Sequence, residues 1–398
     1  MKVLLVVMDH QRGVTTLWRS DGKCAEMQFG AVKNSPLSKS QFQPGVPYLI
    51  LSTVRGEDIL LELPTIEDAS PLRGRPVIYL DQNAWSTIAT AHHAPERLKP
   101  TEVEAARWLA GLAREWRVVL PYSAGTLTET SHWSNDERRY QLALTIFELS
   151  RGWQMLDPLA LRAAEMRWIL GRAIGKTGHP LPQAWTLAPD AVFGDRIESL
   201  RDDNDEALDA ESRMQLNAIT SLSATVSAIL DRESIQRSDQ DEWAQRWAGL
   251  ADYVRNTQKP RHLTEAVVHG AILADARDEL AQAAMAVGIS MDQASEWLSC
   301  KARTDIARMP AFGLAREVTY LKVSNNTARW QANDLQDIFH LVQASGYADA
   351  VVGERGFSAL TRSAQKRMER KVNAYSSIAQ LRQSNTFRDT PPEAPTVV

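Results

Sequence analysis

Short runs of largely apolar residues, separated by polar turn residues, make up most of the first sixty residues of the chain. The runs KVLLVVM, VTTLW and YLILSTV are separated by turn residues such as those of HQRG and SDGK. Apolar runs of this length, bounded by turn residues, are typical of strands in an antiparallel sheet. The pattern predicts a small β-rich N-terminal module over residues 1–73, which ends within the proline and glycine break PLRGRP.

A different pattern begins at residue 74. The run VIYL is short and wholly apolar, as expected of a strand that is buried on both faces of a parallel sheet. A helical stretch, TEVEAARWLAGLAREW, and a second apolar run, RVVLPYS, follow it. Strand, helix and strand in this order predict a βαβ unit with parallel pairing over residues 74–135.

The rest of the chain divides into three parts. Apolar residues recur at helical spacing over 136–324, which predicts an all-helical insertion. Over 325–385 helical spacing in NDLQDIFHLVQASG is followed by a strand pattern in YADAVVG, and residues 386–398 are expected to form a flexible tail. The simplest architecture is one α/β domain that the helical insertion divides in two.

Composition and charge exclude several classes of protein. The 398 residues carry a net charge of −4 and are 44% hydrophobic, and no apolar stretch is long enough for a membrane helix. We therefore expect a cytoplasmic protein without a membrane partner. The slightly acidic balance argues against non-specific coating of nucleic acid, although a local basic surface is compatible with it.

Acidic residues lie where the predicted strands of the α/β domain end. Asp81 comes directly after VIYL, and Glu129 lies in the helix that follows RVVLPYS. Asp334 and Asp337 are one turn apart near the start of a helix, and Glu354 closes the last strand pattern. Because the carboxyl ends of parallel strands meet at one edge of a sheet, we expect these acids to share one rim.

Carboxylates that converge without basic partners raise one another's pKa, and a divalent cation relieves this repulsion. Ligation by oxygen alone selects Mg²⁺ or Mn²⁺, and such ions promote in-line attack of water on a phosphodiester. The rim of acids therefore predicts a metal site for phosphodiester hydrolysis. Helix capping is the alternative explanation for Asp81, Asp334 and Asp337 when each is considered alone.

Three segments together resemble the PIN-domain ribonucleases: YLDQN at 79–83, PYSAGTLTET at 121–130 and NDLQDIFHLVQASGYADAVVGERGF at 333–357. The resemblance implies an α/β/α sandwich with a parallel sheet and an acidic metal site. Residues that match the family's site are Asp81, the following amide Asn83, Glu129, Asp337, the additional acid Asp334, and Glu354 in the place of an aspartate.

The chain also departs from the pattern of that family. Gln82 stands where threonine or serine is common, and Gly353 stands where a hydroxyl residue often precedes the last acid. Glu354 is one methylene longer than aspartate. The helical insertion and the N-terminal module lie outside the small core of the family. These differences bear on which substrate the site accepts.

The resemblance implies a metal-dependent endoribonuclease that leaves 3′-hydroxyl and 5′-phosphate ends. Such enzymes also serve as growth-arresting toxins or phage-defence effectors. Two alternatives stay open, a catalytically inactive scaffold that binds RNA or a protein, and a nuclease for single-stranded or flapped DNA. The helical insertion is a candidate element for substrate selection or for homo-oligomer formation.

Basic and aromatic residues near the acids are the candidate contacts for RNA. The segment TRSAQKRMERK at 361–371 places a stripe of cations on a predicted helix after Glu354, with a solvated helix face as the alternative. The candidate substrate-binding residues are Arg355, Arg362, Lys366, Arg367 and Arg370. Trp85 and Trp133 are candidates for stacking on bases, with core packing as the alternative.

Overall fold

The computed structural model describes residues 2–30, 35–64, 71–188, 191–193, 210–230, 241–257, 260–331 and 333–391. Within these ranges, the side chains of residues 193, 210–216 and 241 are not described. The end of the predicted tail, residues 392–398, lies outside the described residues.

The N-terminal module is a six-stranded antiparallel sheet. Its strands are β1 (Val3–Asp9), β2 (Val14–Arg19), β3 (Cys24–Gln28), β4 (Leu37–Phe42), β5 (Tyr48–Thr53) and β6 (Asp58–Glu62). They lie in the order β3-β2-β1-β4-β5-β6. Alternate residues of β5 and β6, such as Leu49, Leu51 and Ile59, are fully buried, because successive strand residues point to opposite faces. The predicted antiparallel β module is therefore confirmed.

A parallel sheet lies at the centre of the α/β part. The remaining strands are β7 (Ile78–Leu80), β8 (Gln154–Met155), β9 (Trp185–Thr186), β10 (Ala350–Val352) and β11 (Ala374–Tyr375). Parallel pairing gives the order β11-β10-β7. On the other side of β7, parallel bridges join Val77 to Val119 and Tyr122 to Gln154 of β8. The chain order along this sheet therefore reverses at β7.

Helices make up most of the remaining described chain. The α-helices are α1 (Gln82–His93), α2 (Pro100–Arg114), α3 (Ala124–Ser131), α4 (Asp136–Ser150), α5 (Pro158–Ala173), α6 (Ala210–Leu230), α7 (Asp241–Thr257), α8 (Arg261–Asp275), α9 (Arg277–Val287), α10 (Met291–Glu296), α11 (Ala302–Arg308), α12 (Pro310–Val323), α13 (Asn333–Gln336), α14 (Arg355–Arg367) and α15 (Ile378–Gln383). Two segments, Trp297–Lys301 and Asp337–Val342, are π-helical. Within the described ranges, no helix is long and apolar enough to cross a membrane.

The segment predicted as an insertion packs against the α/β part at both of its ends. Its first helix, α4, contacts α1 and β6, and its last helix, α12, contacts α14 and the π-helical segment Asp337–Val342. Between them lie the helices α5 to α11 and the short strands β8 and β9. The described part of this segment is therefore mainly helical, with its two ends built into the layers around the parallel sheet.

Two apolar cores lie on opposite faces of the parallel sheet. Ile78 and Leu80 of β7 belong to the first core, which also contains residues of the β module and of α1, α2 and α4. Val77 and Tyr79 belong to the second core, together with residues of α5, α12 and α14. Alternation of side chains along β7 thus places apolar residues on both faces, and helices cover both, as a parallel sheet requires.

A buried ion pair joins the β module to the parallel sheet. Arg75, just before β7, donates from Nη1 to Oε1 of Glu62 (3.0 Å) and from Nη2 to Oε2 (2.9 Å). Neither side chain is more than 5% exposed. The Nε of Arg75 also donates to the carbonyl oxygen of Leu72 (3.1 Å). Two parallel hydrogen bonds fix the orientation as well as the distance between β6 and the start of the central strand.

We predict that Glu62→Ala lowers the free energy of unfolding by about 3–5 kcal/mol, because it leaves the buried guanidinium of Arg75 without a counter-charge. The matched control is Glu137→Ala, which removes the exposed partner of Arg55 and should cost about 0–1 kcal/mol. Urea unfolding followed by circular dichroism measures both values. Equal, small effects of the two substitutions would contradict a structural role for the buried pair.

Candidate metal centre

Asp81 lies at the carboxyl end of β7 and begins α1. Its backbone N–H donates to the carbonyl oxygen of Val352 in β10 (2.9 Å), and its Oδ1 accepts from the N–H of Ala84 (2.8 Å). Asp81 therefore caps α1, as the capping alternative expected. Capping does not exclude ligation, because the two oxygens of a carboxylate accept about four hydrogen bonds or ligand contacts between them.

Gln82 connects the start of α1 to α3, the helix that carries Glu129. Its Nε2 donates to Oγ1 of Thr130 (3.0 Å), and Thr130 in turn donates to the carbonyl oxygen of Thr126 (2.7 Å). Both Gln82 and Thr130 are buried. Threonine or serine at position 82 would be too short to span to α3. The contact accounts for the amide at this position and positions Glu129 relative to Asp81.

A close approach between helices brings α3 against the segment that begins at Asp337. A Cβ added to Gly125 would lie 2.6 Å from Cδ2 of His340 and 2.9 Å from Oε1 of Gln336. Any larger residue at this position would require the side chains of His340 and Gln336 to shift. Glu129 lies one turn further along α3, and Asp337 follows Gln336, so the two acids come from neighbouring helices. The π-helix that Asp337 opens is a rare conformation, which occurs frequently at functional sites.

A second glycine, Gly353, packs against the same helix. A Cβ at this position would lie 2.4 Å from Cδ1 and 2.5 Å from Cδ2 of Leu341. The N–H of Gly353 donates to the carbonyl oxygen of Tyr375 in β11 (3.0 Å). Close packing against Leu341 therefore explains why glycine precedes Glu354, and it brings Glu354 to the same rim as Asp337.

The acids of this rim act on one another electrostatically. Burial, the charges of Glu354, Asp81 and Glu129, and a smaller effect of Asp334 together raise the pKa of Asp337 to about 8. Burial and the charge of Glu354 raise the pKa of Asp81 to about 6. The hydrogen bond from the N–H of Ala84 acts in the opposite direction and lowers this pKa. Burial and the charge of Asp81 also raise the pKa of Glu129, although solvent at this exposed position screens part of the interaction.

The four acids Asp81, Glu129, Asp337 and Glu354 form no ion pair with any described lysine, arginine or histidine. Asp334 differs from them, because its Oδ1 accepts from Nζ of Lys322 (2.7 Å) and its Oδ2 from the N–H of Gln331 (2.6 Å). Both of its oxygens are engaged by donors of the protein. Its contacts are those of a buried, charge-balanced structural pair.

Whether a cation fits this site depends on the side chains that could bind it. Within the described chain, no three Asp, Glu, His or Cys side chains lie close enough to hold a metal ion in their present orientations. The chemistry of the set is nevertheless that of an oxygen-ligand site, since four unpaired carboxylates meet at one rim. Glu129 and Glu354 are both exposed, and their side chains are the ones with room to reorient.

The cations predicted to bind substrate are in part engaged by the protein itself. Arg370 donates to three carbonyl oxygens around the end of α11, and Arg367 pairs with two glutamates. Arg362 donates to a carbonyl oxygen of β11 (3.2 Å). Arg355, in the first turn of α14, and Lys366 are exposed. The rim itself therefore has one exposed predicted cation, Arg355, directly after Glu354.

The remaining candidates from the sequence divide into buried and exposed residues. Trp85 is fully buried in the first apolar core, so the core-packing alternative is correct there. Trp133 is partly exposed, and Asn83 is exposed in the first turn of α1, next to Asp81. The positioning residues Gly125 and Thr130 were not singled out from the sequence, because nothing local distinguishes a glycine or threonine that contacts a distant helix.

Comparison of the chain with protein-family models, with curated proteins and with solved structures gave no match. The likeness to PIN domains is therefore still a prediction.

In the absence of divalent cations, we predict that Asp337→Asn raises the Tm at pH 8. The pKa of Asp337 is about 8 in the folded protein, and an unfolded aspartate has a pKa of about 3.9. The folded state therefore binds more protons between these two values, and its stability falls as the pH rises through that window. Asparagine removes this loss, so the gain in Tm should be largest above pH 8 and absent below pH 4.

Asp334→Asn is the matched control for this measurement, which is made by differential scanning fluorimetry in EDTA. It breaks the buried pair with Lys322 and should lower the Tm at the same pH. A decrease in Tm for Asp337→Asn at pH 8 would show that Asp337 is not repelled by its neighbours.

Proposed function

We propose that this chain is a metal-dependent endoribonuclease with a PIN-like α/β/α core. The observation that carries the proposal is the convergence of four unpaired carboxylates from four separate elements at the carboxyl edge of the parallel sheet. They meet where the chain order along the sheet reverses, between β7 and β10. In doubly wound sheets, ligands bind in the crevice at this switch point.

The other buried acids of the described chain strengthen the argument, because each has a partner. Glu62 pairs with Arg75, and Asp334 pairs with Lys322. Glu165 accepts from two backbone N–H groups and from the hydroxyl of Tyr347, and Asp305 accepts from Nε1 of Trp297. Among the described residues the rim acids have no cationic partner, and the one hydrogen bond described above for them is that from the N–H of Ala84 to Asp81. Uncompensated carboxylates with raised pKa values are typical of functional sites.

Asp81, Glu129, Asp337 and Glu354 are the residues that would hold one or two Mg²⁺ or Mn²⁺ ions, with Asp334 adjacent. A bound ion of this type lowers the pKa of water and compensates the charge of a phosphodiester under attack. Asp81 is held rigidly by β10 and by its cap, and the exposed glutamates supply adjustable oxygens. The carboxyl of Asp337 must release its proton when it becomes a ligand, so cation affinity should increase with pH.

The choice of RNA follows from the resemblance, which also implies 3′-hydroxyl and 5′-phosphate products and a cytoplasmic toxin or defence role. Arg355 is positioned to contact a phosphate next to Glu354. A nuclease for single-stranded or flapped DNA would use the same acid chemistry. It would differ from a ribonuclease in that it does not recognise a 2′-hydroxyl.

We predict that Asp81→Ala and Asp337→Ala each reduce Mn²⁺-dependent RNA cleavage by at least ~100-fold, since loss of even outer-shell partners of a metal typically costs ~10–100-fold. The measurement is cleavage of labelled single-stranded and structured RNA, with matched DNA as competitor, with and without EDTA. The control is Asp252→Ala, an exposed acid of α7 that pairs with Arg255. Cleavage that persists in EDTA or in both rim variants would refute the mechanism.

A catalytically inactive RNA- or protein-binding scaffold is the second candidate. It is favoured by one observation, that no three ligand side chains among the described residues are close enough to hold an ion as they stand. We predict that Mn²⁺ raises the Tm of the parent protein, because the ion relieves the repulsion among the acids. The increase should be absent in Asp337→Ala and retained in Asp252→Ala. No increase in the parent would favour the scaffold.

A further inference from the structure

A cleft outside the acidic rim is lined by two arginines and a tryptophan. It lies between α1 and the start of α4 and has a volume of about 250 Å³. Its polar and aromatic lining residues include Ser86, His93, Arg97, Trp133, Arg138 and Gln141, and its described lining contains no acidic residue. The rest of the lining is small or apolar.

The cleft lies one helical turn from Gln82 and Thr130, the residues that join the helices of Asp81 and Glu129. Asp81 is followed by Gln82, whose amide binds Thr130 of α3 (3.0 Å). Ser86 lies one turn beyond Gln82 on the same face of α1. Trp133 lies one turn beyond Thr130, and its N–H donates to the carbonyl oxygen of Thr130 (3.3 Å). The bond between Gln82 and Thr130 is therefore at the boundary between the carboxylates and the cleft.

The two arginines of the cleft have donors to offer to a ligand. Arg97 and Arg138 are exposed, and neither forms an ion pair with a described carboxylate. This distinguishes them from Arg367, at the end of α14, and from Arg370 just beyond it, which are bound to glutamates and to backbone carbonyls respectively. A guanidinium without a protein partner binds phosphate oxygens in a bidentate manner. In a chain with a net charge of −4, this local excess of positive charge favours an anionic ligand.

Trp133 provides a second kind of contact in the same cleft. It is partly exposed and packs against the first core, so its ring has a supported position. Indole rings bind nucleobases by stacking, without discrimination among the bases. A base is available for stacking in this manner when the strand is not paired.

We propose that this cleft is the binding subsite for one nucleotide of a single-stranded RNA whose backbone crosses the acidic rim. Arg97 and Arg138 contact the phosphates and Trp133 stacks on the base. The volume of the cleft is below the ~300–1,000 Å³ of pockets that enclose a whole small ligand. A cleft of this size suits one nucleotide of a longer RNA strand. The identity of the ligand as RNA rests on the proposed function.

The test measures binding of a fluorescein-labelled single-stranded RNA to the full chain by anisotropy, in EDTA so that cleavage does not contribute. Trp133→Ala should weaken binding on the order of tenfold, and Trp133→Tyr should retain most of the affinity, because base stacking is lost only in the first. Trp18→Ala is the matched control, since Trp18 is an exposed tryptophan on the distant strand β2. It should bind RNA as the parent does.

Arg97→Ala and Arg138→Ala provide a second measurement that does not disturb the core, because both side chains are exposed. Each should reduce the slope of log K against log salt concentration by about 0.7, the value for one lost phosphate contact on a single strand. Arg277→Ala, an exposed arginine of α9, is the control and should leave the slope unchanged.

Unchanged affinity and salt slope in Trp133→Ala, Arg97→Ala and Arg138→Ala would overturn the subsite, as would tighter binding of duplex than of single-stranded RNA. If the parent still cleaves RNA with Mn²⁺ in that case, the nuclease proposal stands and only the subsite fails. If the cleft variants lose RNA binding while Asp81→Ala cleaves like the parent, the subsite stands and the metal mechanism fails.

Discussion

Repulsion among four carboxylates at one edge of a parallel sheet is the constraint on which the rest of this structure depends. Like charges that act on one another destabilise the folded state unless other contacts hold them in place. In this protein, contacts of the backbone hold the acids in place. Asp81 is fixed by its hydrogen bond to Val352 and by the cap of α1, and Gly125 and Gly353 allow the flanking helices to approach closely.

The supporting contacts extend well beyond the rim. The buried pair of Arg75 and Glu62 anchors the start of the central strand to the N-terminal sheet, so the β module contributes to the position of Asp81. Gln82 and Thr130 join the two helices that carry Asp81 and Glu129. The same hydrogen bond borders the cleft with Trp133. One set of interactions therefore positions both the acids and the arginine-lined cleft one turn away.

Local sequence patterns predicted the elements well. Short β-type runs bounded by turn residues indicated the antiparallel module, and the apolar run before Asp81 indicated a strand buried on both faces. The placement of the acids at strand ends also follows from the order of the elements alone. These predictions succeed because side-chain alternation and helical periodicity are local properties, which depend on the few residues around each position.

Tertiary structure decided which charged and aromatic residues have partners. Asp334 and Asp337 are three residues apart in sequence, yet one is neutralised by Lys322 and the other is not. The basic stripe of α14 is partly occupied by carbonyls and glutamates from other helices, and Trp85 is buried. The chain by itself determined the strands, the helices and the order of the acids. Which charged residues form ion pairs was decided only by the fold, because the partner of a charge is set by contacts between residues that are distant in sequence.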